Sequence, residues 1–365
     1  MLVQTEIRAR LAAALLLALA ILVGQSSPSS AAEEYTVGAD VSFLGHAEER
    51  GIAFKDNGVP TPGLQIFKDH GYNWVRLRLF HSPSRLPNDL EYTLAQAQHA
   101  KRLGFKFLLN FHYSDTWADP QKQFTPKAWE GLSHSALVDA VFQYTRDTVA
   151  SFRDAGAMPD MVQIGNEVIA GMLWPDGRLP KNWDNFADLL KAGIRGVEAG
   201  RGDAPRPEIM IHIDRGGDLP ATKSFFDNCR DRGVEFDVVG QSYYPWWHGT
   251  LDELRDNLAF MAQRYEKDII LVEVAYNWRP AEYRKRPGPY PETPEGQKQF
   301  LADVNEVVLN TPDGHGRGIF WWEPAVSPGP IASRGLFDES GNALPAITVF
   351  DGINGIPTDQ ILESD

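Results

Sequence analysis

Eight runs of strand length, separated by stretches of helical periodicity, constrain this chain more than any other feature. The strand-like runs are Thr36–Phe43, Trp74–Phe80, Lys106–Tyr113, Met161–Val168, Glu208–Asp214, Asp237–Tyr244, Ile269–Tyr276 and Gly318–Glu323. Each is apolar throughout or alternates with period two, as buried strands do. Helical patterns cover Pro62–His70, Leu90–Leu103, Ser133–Ala155, Asn182–Ala199, Leu219–Arg232, Thr250–Tyr265, Thr293–Leu309 and Ala343–Phe350. Ser133 is a candidate cap, and Thr250 with Glu253 three residues later has the form of a capping box. Strands separated by helices pair in parallel through right-handed crossovers. Eight such units close most naturally into a single-domain (β/α)8 TIM barrel. The alternative is an open doubly wound sheet, but the glycine-rich phosphate turn that marks many such sheets does not follow the first run.

Residues 1–32 read as a segment outside this fold. Arg8 and Arg10 precede the apolar run Leu11–Val23, and Ser30-Ala31-Ala32 offers small residues for cleavage. That is the form of a secretory signal peptide. The apolar run falls short of the roughly 20 residues a membrane span takes. The expectation is a secreted or periplasmic protein, unattached to the membrane after cleavage, whose folded part is residues 33–365. The only cysteine, Cys229, rules out an intramolecular disulfide. It follows Phe225-Phe226 in a helical stretch and reads as a small buried hydrophobe. The net charge of −14 repels nucleic acid and other polyanions and suits a neutral ligand. The chain is expected to act as a monomer without a cofactor.

Catalytic groups of a TIM barrel gather at the carboxyl ends of its strands. Here those ends carry Asp40, then Arg76 and Arg78, then His112 and Tyr113 leading into Ser114-Asp115-Thr116-Trp117. Asn166-Glu167 ends the fourth run, and His212 and Asp214 the fifth. Tyr243, Tyr244, Trp246, Trp247 and His248 follow the sixth. Glu273, Tyr276 and Trp278 belong to the seventh, and Trp321-Trp322-Glu323 to the eighth. Carboxylates, fixed hydrogen-bonding groups and aromatic faces together suit a sugar, whose C–H faces stack on rings and whose hydroxyls need oriented partners. Six of the 10 tryptophans fall at or just beyond strand ends, which core packing alone does not require.

Two carboxyl groups facing each other are the minimal kit for cleaving a glycosidic bond. Glu167 is the candidate general acid/base and Glu273 the candidate nucleophile, which must stay ionised. In a retaining pair the two carboxyls stand about 5–5.5 Å apart. Asn166 is placed to hold a sugar 2-hydroxyl. Arg76 and Arg78 share strand parity, so both are expected to face inward and keep Glu273 charged. Glu323, one residue from Trp322, is expected on the opposite face of a regular strand, as a structural group or a hydroxyl acceptor. Substrate contacts are assigned to Asp40, Arg76, Arg78, His112, Ser114, Asp115, Trp117, Asn166, Tyr244, Trp246, His248, Trp278 and Trp322. A metal site built from His112, His212 and His248 has no compact ligand motif behind it. Nucleophilic acyl transfer lacks its Gly-x-Ser-x-Gly elbow.

Several segments resemble hallmarks of glycoside hydrolase family 53, the endo-β-1,4-galactanases. They are Gly38-Ala39-Asp40, the stretch Asn110–Pro120 with Gln123 and Trp129, Gln163–Glu167, Tyr243–Gly249, Val272-Glu273 and Phe320–Ala325. They stand in the family's order and cover nearly the whole of residues 33–365. The resemblance implies a (β/α)8 barrel with catalytic glutamates on strands four and seven, hence Glu167 as acid/base and Glu273 as nucleophile. It implies an endo-acting hydrolase of the β-1,4-galactan of pectin and type I arabinogalactan. Two positions depart from the family pattern: Val326 stands where an aromatic is usual, and Tyr276-Asn277-Trp278 replaces Tyr-Pro-Trp. Residues after Ala325 contain no acidic cluster of the kind that holds calcium in some members, so no metal is expected. The rival readings are another retaining β-1,4-glycanase, a galacto-oligosaccharide hydrolase, and a galactan-binding protein without turnover.

Overall fold

The computed structural model describes residues 34–281, 288–325 and 331–353. All eight runs form strands: β1 (Thr36–Asp40), β2 (Trp74–Leu79), β3 (Lys106–Phe111), β4 (Met161–Ile164), β5 (Glu208–Ile213), β6 (Val238–Tyr243), β7 (Asp268–Val274) and β8 (Gly316–Trp322). They pair in parallel in chain order, and β1 pairs with both β2 and β8, so the sheet is a closed barrel and not an open one.

Helices α1 (Gly63–Asp69), α2 (Leu90–Arg102), α3 (His134–Asp154), α4 (Trp183–Arg201), α5 (Leu219–Asp231), α6 (Leu251–Tyr265) and α7 (Pro294–Leu309) form the crossovers. Side chains of Asp89, Ser133, Asp218, Thr250 and Thr293 each accept a hydrogen bond from a first-turn N–H. Thr250 and Glu253 form the reciprocal box, satisfying donors that a helix start otherwise leaves unpaired. The stretch expected as an eighth helix is a short 3-10 turn, Pro345–Phe350. Its Ile347-Thr348-Val349 core is β-branched, which disfavours a longer α-helix. Cys229 is buried on α5, and burial pushes its thiol up to about 12. Residues 1–32, expected as a signal peptide, and Val326 lie outside the described residues.

The barrel interior is layered. Trp74, Leu108, Met161, Met210, Val238, Ile270, Val272 and Phe320 form an apolar cluster, distinct from the larger cluster that includes the helix faces. Burying side chains of this size contributes about 1.5–3 kcal/mol each. Two residues further along their strands, the same faces present Arg76, Asn110, Gln163 and His212, all buried. The apolar layer therefore supports a polar one at the mouth.

Several strands stop earlier than their apolar runs suggest. At β1 the Asp40 carboxylate accepts from the Ser42 backbone N–H at 3.1 Å and its hydroxyl at 2.5 Å, which turns the chain out of the ladder. Tyr113, Glu167 and Glu323 have φ of 49°, 48° and 51°. Left-handed backbone at a non-glycine residue costs about 1–3 kcal/mol and is held only where its surroundings enforce it. All three residues follow barrel strands at the mouth. On β7 the register slips: Leu271 pairs with Ile319, but Val274 pairs with Trp321. Two residues, Val272 and Glu273, thus stand opposite one, which is a β-bulge.

Candidate active site

The bulge decides where Glu273 points. Ile269 and Leu271 pack toward the helices, and strict alternation would send Glu273 the same way. Ile270 and Val272 instead both belong to the interior cluster, and Glu273 emerges into the mouth above them. There Arg76 Nη1 donates to Glu273 Oε1 at 2.8 Å, and the Tyr244 hydroxyl donates to Oε2 at 3.0 Å. Arg76 also donates to Asp40 at 2.9 Å, to Asn166 Oδ1 at 2.8 Å and to Gln163 Oε1 at 3.1 Å. Arg78 bridges Asp40, at 3.1 Å, and Glu323. Both arginines face inward, as their parity predicts.

Glu323 does not lie on the opposite face. The left-handed turn at its own Cα breaks the alternation after Trp322 and swings the carboxyl onto Arg78. Burial pushes Glu323 up to about 8, against the pull of Arg78.

Glu167 reaches the mouth through two consecutive irregularities. Gly165 has φ of 79°, and a Cβ there would lie 2.6 Å from Val168 Cγ1. Glu167 then adopts its own left-handed conformation. Its Oε1 accepts from the Ser242 hydroxyl at 2.7 Å. Gln123 pins the backbone from below, donating to the Asn166 carbonyl at 2.8 Å. Burial raises the Glu167 pKa well above the ordinary carboxylate range, and the charges of Glu273 and Asp214 add to it. Ligand-type atoms of Glu167, His212 and Glu273 all lie within 4.8 Å of one another. Both His212 nitrogens are engaged, Nε2 with Ser242 at 2.8 Å and Nδ1 with Gln163 at 3.2 Å. The trio is thus two carboxyls with an orienting imidazole.

A cleft of about 660 Å³ opens over this pair. Tyr244, Trp247, His248, Trp322 and Arg334 line one part, and the segment Asp119–Lys122 with Asp214 and Arg215 another. Trp247 is 61% exposed, a bare ring at the rim. The Arg334 guanidinium sits 5.1 Å from the Trp247 ring centre and 5.9 Å from that of Trp322, fixing both rings by cation–π contact. Asp214 is pushed up to about 6 by burial, despite its contact with Arg215.

Other residues named from sequence are placed as follows. Asn166 donates to the Ala118 carbonyl at 2.9 Å and accepts from Arg76. His112 is buried, its Nδ1 accepting from the Ala118 N–H at 3.0 Å, and burial holds it neutral. His248 Nδ1 accepts from the Tyr244 N–H at 3.1 Å, and burial lowers it to about 4. His112, His212 and His248 therefore each serve a local hydrogen bond rather than converge on one point. Trp117 lies over Arg78 at 3.9 Å and against Trp322. Of the assigned substrate contacts, Tyr244, His248 and Trp322 line the cleft; Asp40, Arg76, Arg78, His112, Trp117 and Asn166 belong to the network beside it, and four more serve other contacts. Ser114 is buried in the β3–α3 loop. Asp115 braces that loop, accepting from the N–H groups of Ser82 and Lys127 at 3.0 and 2.8 Å. Trp246 is stacked on Tyr276, ring centres 5.1 Å apart. Trp278 is tied by its indole N–H to the Ala332 carbonyl at 3.0 Å.

Trp247, Arg334, Ser242 and Gln163 were not singled out from sequence as substrate contacts. Ser242 and Gln163 carry a usable signal, since each shares strand parity with an interior apolar residue, Val238 and Met161. Trp247 sits in a turn, its N–H donating to the Tyr244 carbonyl at 2.9 Å, where strand alternation gives no guide.

A TIM barrel whose mouth holds an opposed carboxyl pair under an aromatic-lined cleft defines the class, a glycoside hydrolase. The model of glycosyl hydrolase family 53 matches residues 36–350, and the chain belongs to that family. It is 36% identical to an arabinogalactan endo-beta-1,4-galactanase of Humicola insolens, over 87% of this chain and 98% of the relative. The solved GH53 catalytic domain of Ignisphaera aggregans superposes with a TM-score of 0.82 at 35% identity, covering 90% of this chain and 98% of that one. A structure described among two fungal beta-1,4-galactanases gives a TM-score of 0.80 at 34% identity, covering 87% and 99%.

Proposed function

We propose that this protein is an endo-β-1,4-galactanase that cleaves with retention, Glu167 serving as acid/base and Glu273 as nucleophile. The observation that carries the mechanism is the closeness of the two carboxyls: oxygens of Glu167 and Glu273 approach within 4.8 Å. An inverting pair keeps about 6.5–9.5 Å between its carboxyls to admit a water. The opposite environments of the pair support the division of roles. Glu273 accepts from a guanidinium and a phenol, which suits a carboxylate nucleophile. Glu167, crowded by burial and by Glu273, keeps its proton for the leaving oxygen. Glu273 bonds to the anomeric carbon as the glycosidic C–O bond breaks, and Glu167 protonates the departing oxygen. Glu167 then takes a proton from water, whose oxygen displaces Glu273.

The galactan assignment is supported by family membership and by the names of relatives such as that of Humicola insolens. Trp247 and Trp322 supply ring faces on which a neutral hexose can stack. A polysaccharide panel with product sizing tests it. β-1,4-Galactan should be cut to short oligomers while mannan, xylan and β-glucan remain intact. Release of oligomers from one of those polymers alone would overturn the substrate assignment. Export through residues 1–32 belongs to the same reading, and N-terminal sequencing of protein recovered outside the cytoplasm should begin near residue 33.

A further inference from the structure

A directed chain of hydrogen bonds runs into the acid/base from below. The Glu167 backbone N–H points at His212 Nδ1 at 3.4 Å, while the two protons of the Gln163 amide, 3.2 Å from the same nitrogen, have nearer acceptors in Asn110 Oδ1 and the Gly165 carbonyl, both at 2.8 Å. Nδ1 is therefore an acceptor, and the single proton of the neutral ring sits on Nε2. Asn166 Oδ1 is 3.2 Å from Nδ1 as well, but it already accepts from Arg76 at 2.8 Å and Asn110 at 3.2 Å, and the fixed Glu167 N–H leaves Nδ1 the acceptor. Burial, then the charges of Arg76 and His248, hold the imidazole neutral. Nε2–H donates to Ser242 Oγ at 2.8 Å, which leaves the Ser242 hydroxyl proton to go to Glu167 Oε1 at 2.7 Å.

We propose that Ser242, oriented by His212, is a positioning residue: it reserves Oε1 of Glu167 as an acceptor and leaves Oε2 to carry the transferable proton. The proposal rests on Glu167 being the acid/base. During cleavage the Oε2 proton moves to the glycosidic oxygen, which keeps the electron pair of the broken C–O bond. The carboxylate left behind is then stabilised by the Ser242 hydroxyl, and Oε2 recovers a proton from water in the second step. The loop closes on itself, because the backbone of Glu167 fixes the tautomer that orients its own side chain.

The groups around Glu167 set the sign of the test. Glu273 on β7, Asp214 after β5 and Asp119 in the β3–α3 loop oppose its ionisation by charge, and the Tyr244 hydroxyl also lies close by. The Ser242 hydrogen bond acts in the opposite sense, favouring the carboxylate. Glu167 must be protonated for the first step, so activity falls as pH rises through its pKa. Ser242→Ala removes the opposing hydrogen bond and should move that alkaline limb to higher pH. It should also lower kcat/KM on β-1,4-galactan about tenfold or more, the worth of a hydrogen bond to a charged group. The loss should be smaller with a nitrophenyl galactoside, whose leaving group needs no proton. Ser242→Thr, which keeps the hydroxyl, should restore the limb. Ser242→Cys, a weaker donor of similar size, reads the same shift should the alanine variant not fold. An alkaline limb that stays in place or moves to lower pH in the alanine or cysteine variant would overturn the relay. Glu167→Ala separates the two levels of the argument. If it leaves the limb unchanged, the acid/base assignment fails; if it abolishes the limb while Ser242→Ala does not move it, the relay alone fails.

Discussion

Glu273 and Glu167 show what a single residue's surroundings determine. The proposed division of roles follows from Arg76 and Tyr244 reaching one and from burial and the charge of Glu273 acting on the other. Glu273→Ala should abolish hydrolysis of galactan while leaving binding to the polymer, since the aromatic rim is untouched; turnover assays beside affinity electrophoresis check both. Glu167→Gln should slow galactan cleavage by roughly 10²–10⁴, the usual contribution of a positioned acid. With its pKa raised by burial, the wild-type alkaline limb should lie above the ordinary carboxylate range, and a limb within that range would count against Glu167. Trp247→Ala should raise KM for galactan with little change in kcat, because the exposed ring offers a stacking face and carries no group that moves a proton or forms a bond. At this scale the sequence was legible where chemistry fixes residue type. Asn166-Glu167, Glu273 and the two inward arginines stood out. Trp246 and Trp247 are adjacent in a turn, where no parity tells which ring faces the cleft.

At the scale of elements, two irregularities aim the proposed catalytic pair, and neither is written as a pattern. The run Ile269–Tyr276 is apolar on both faces, so its composition does not disclose the bulge that turns Glu273 inward. The pair α3 and α4 rests on a different device. A Cβ on Gly196 would come 2.7 Å from Thr145 Cβ, and one on Gly200 2.5 Å from the Arg146 carbonyl. Helix backbones this close leave no room for a methyl group. Gly196→Ala should therefore lower stability by about 1–3 kcal/mol through overpacking, read as a lower Tm with activity per folded molecule unchanged. Strand and helix existence was legible because period two and period 3.6 differ sharply. Strand ends were not, because the turns at Tyr113, Glu167 and Glu323 depend on tertiary enforcement of left-handed backbone.

At the scale of the whole molecule, the barrel separates stability from chemistry along its axis. Apolar residues such as Trp74, Met161 and Phe320 fill the lower interior, and the polar network from Asp40 to Glu323 occupies the mouth. The eight alternating runs favour closure, but the count alone leaves an open sheet possible, and it is the pairing of β1 with β8 that closes the barrel. The substrate was less legible, because the cleft wall is assembled from distant segments, Asp119–Lys122, Trp247 and Arg334, that no local pattern connects. The central claim joins that cleft to the carboxyl pair beneath it. Proton NMR of the first reducing ends released from β-1,4-galactan tests both at once. The account predicts β-anomers first, with α-anomers growing in only as mutarotation proceeds. Initial α-anomers, or no reducing ends at all, would contradict it.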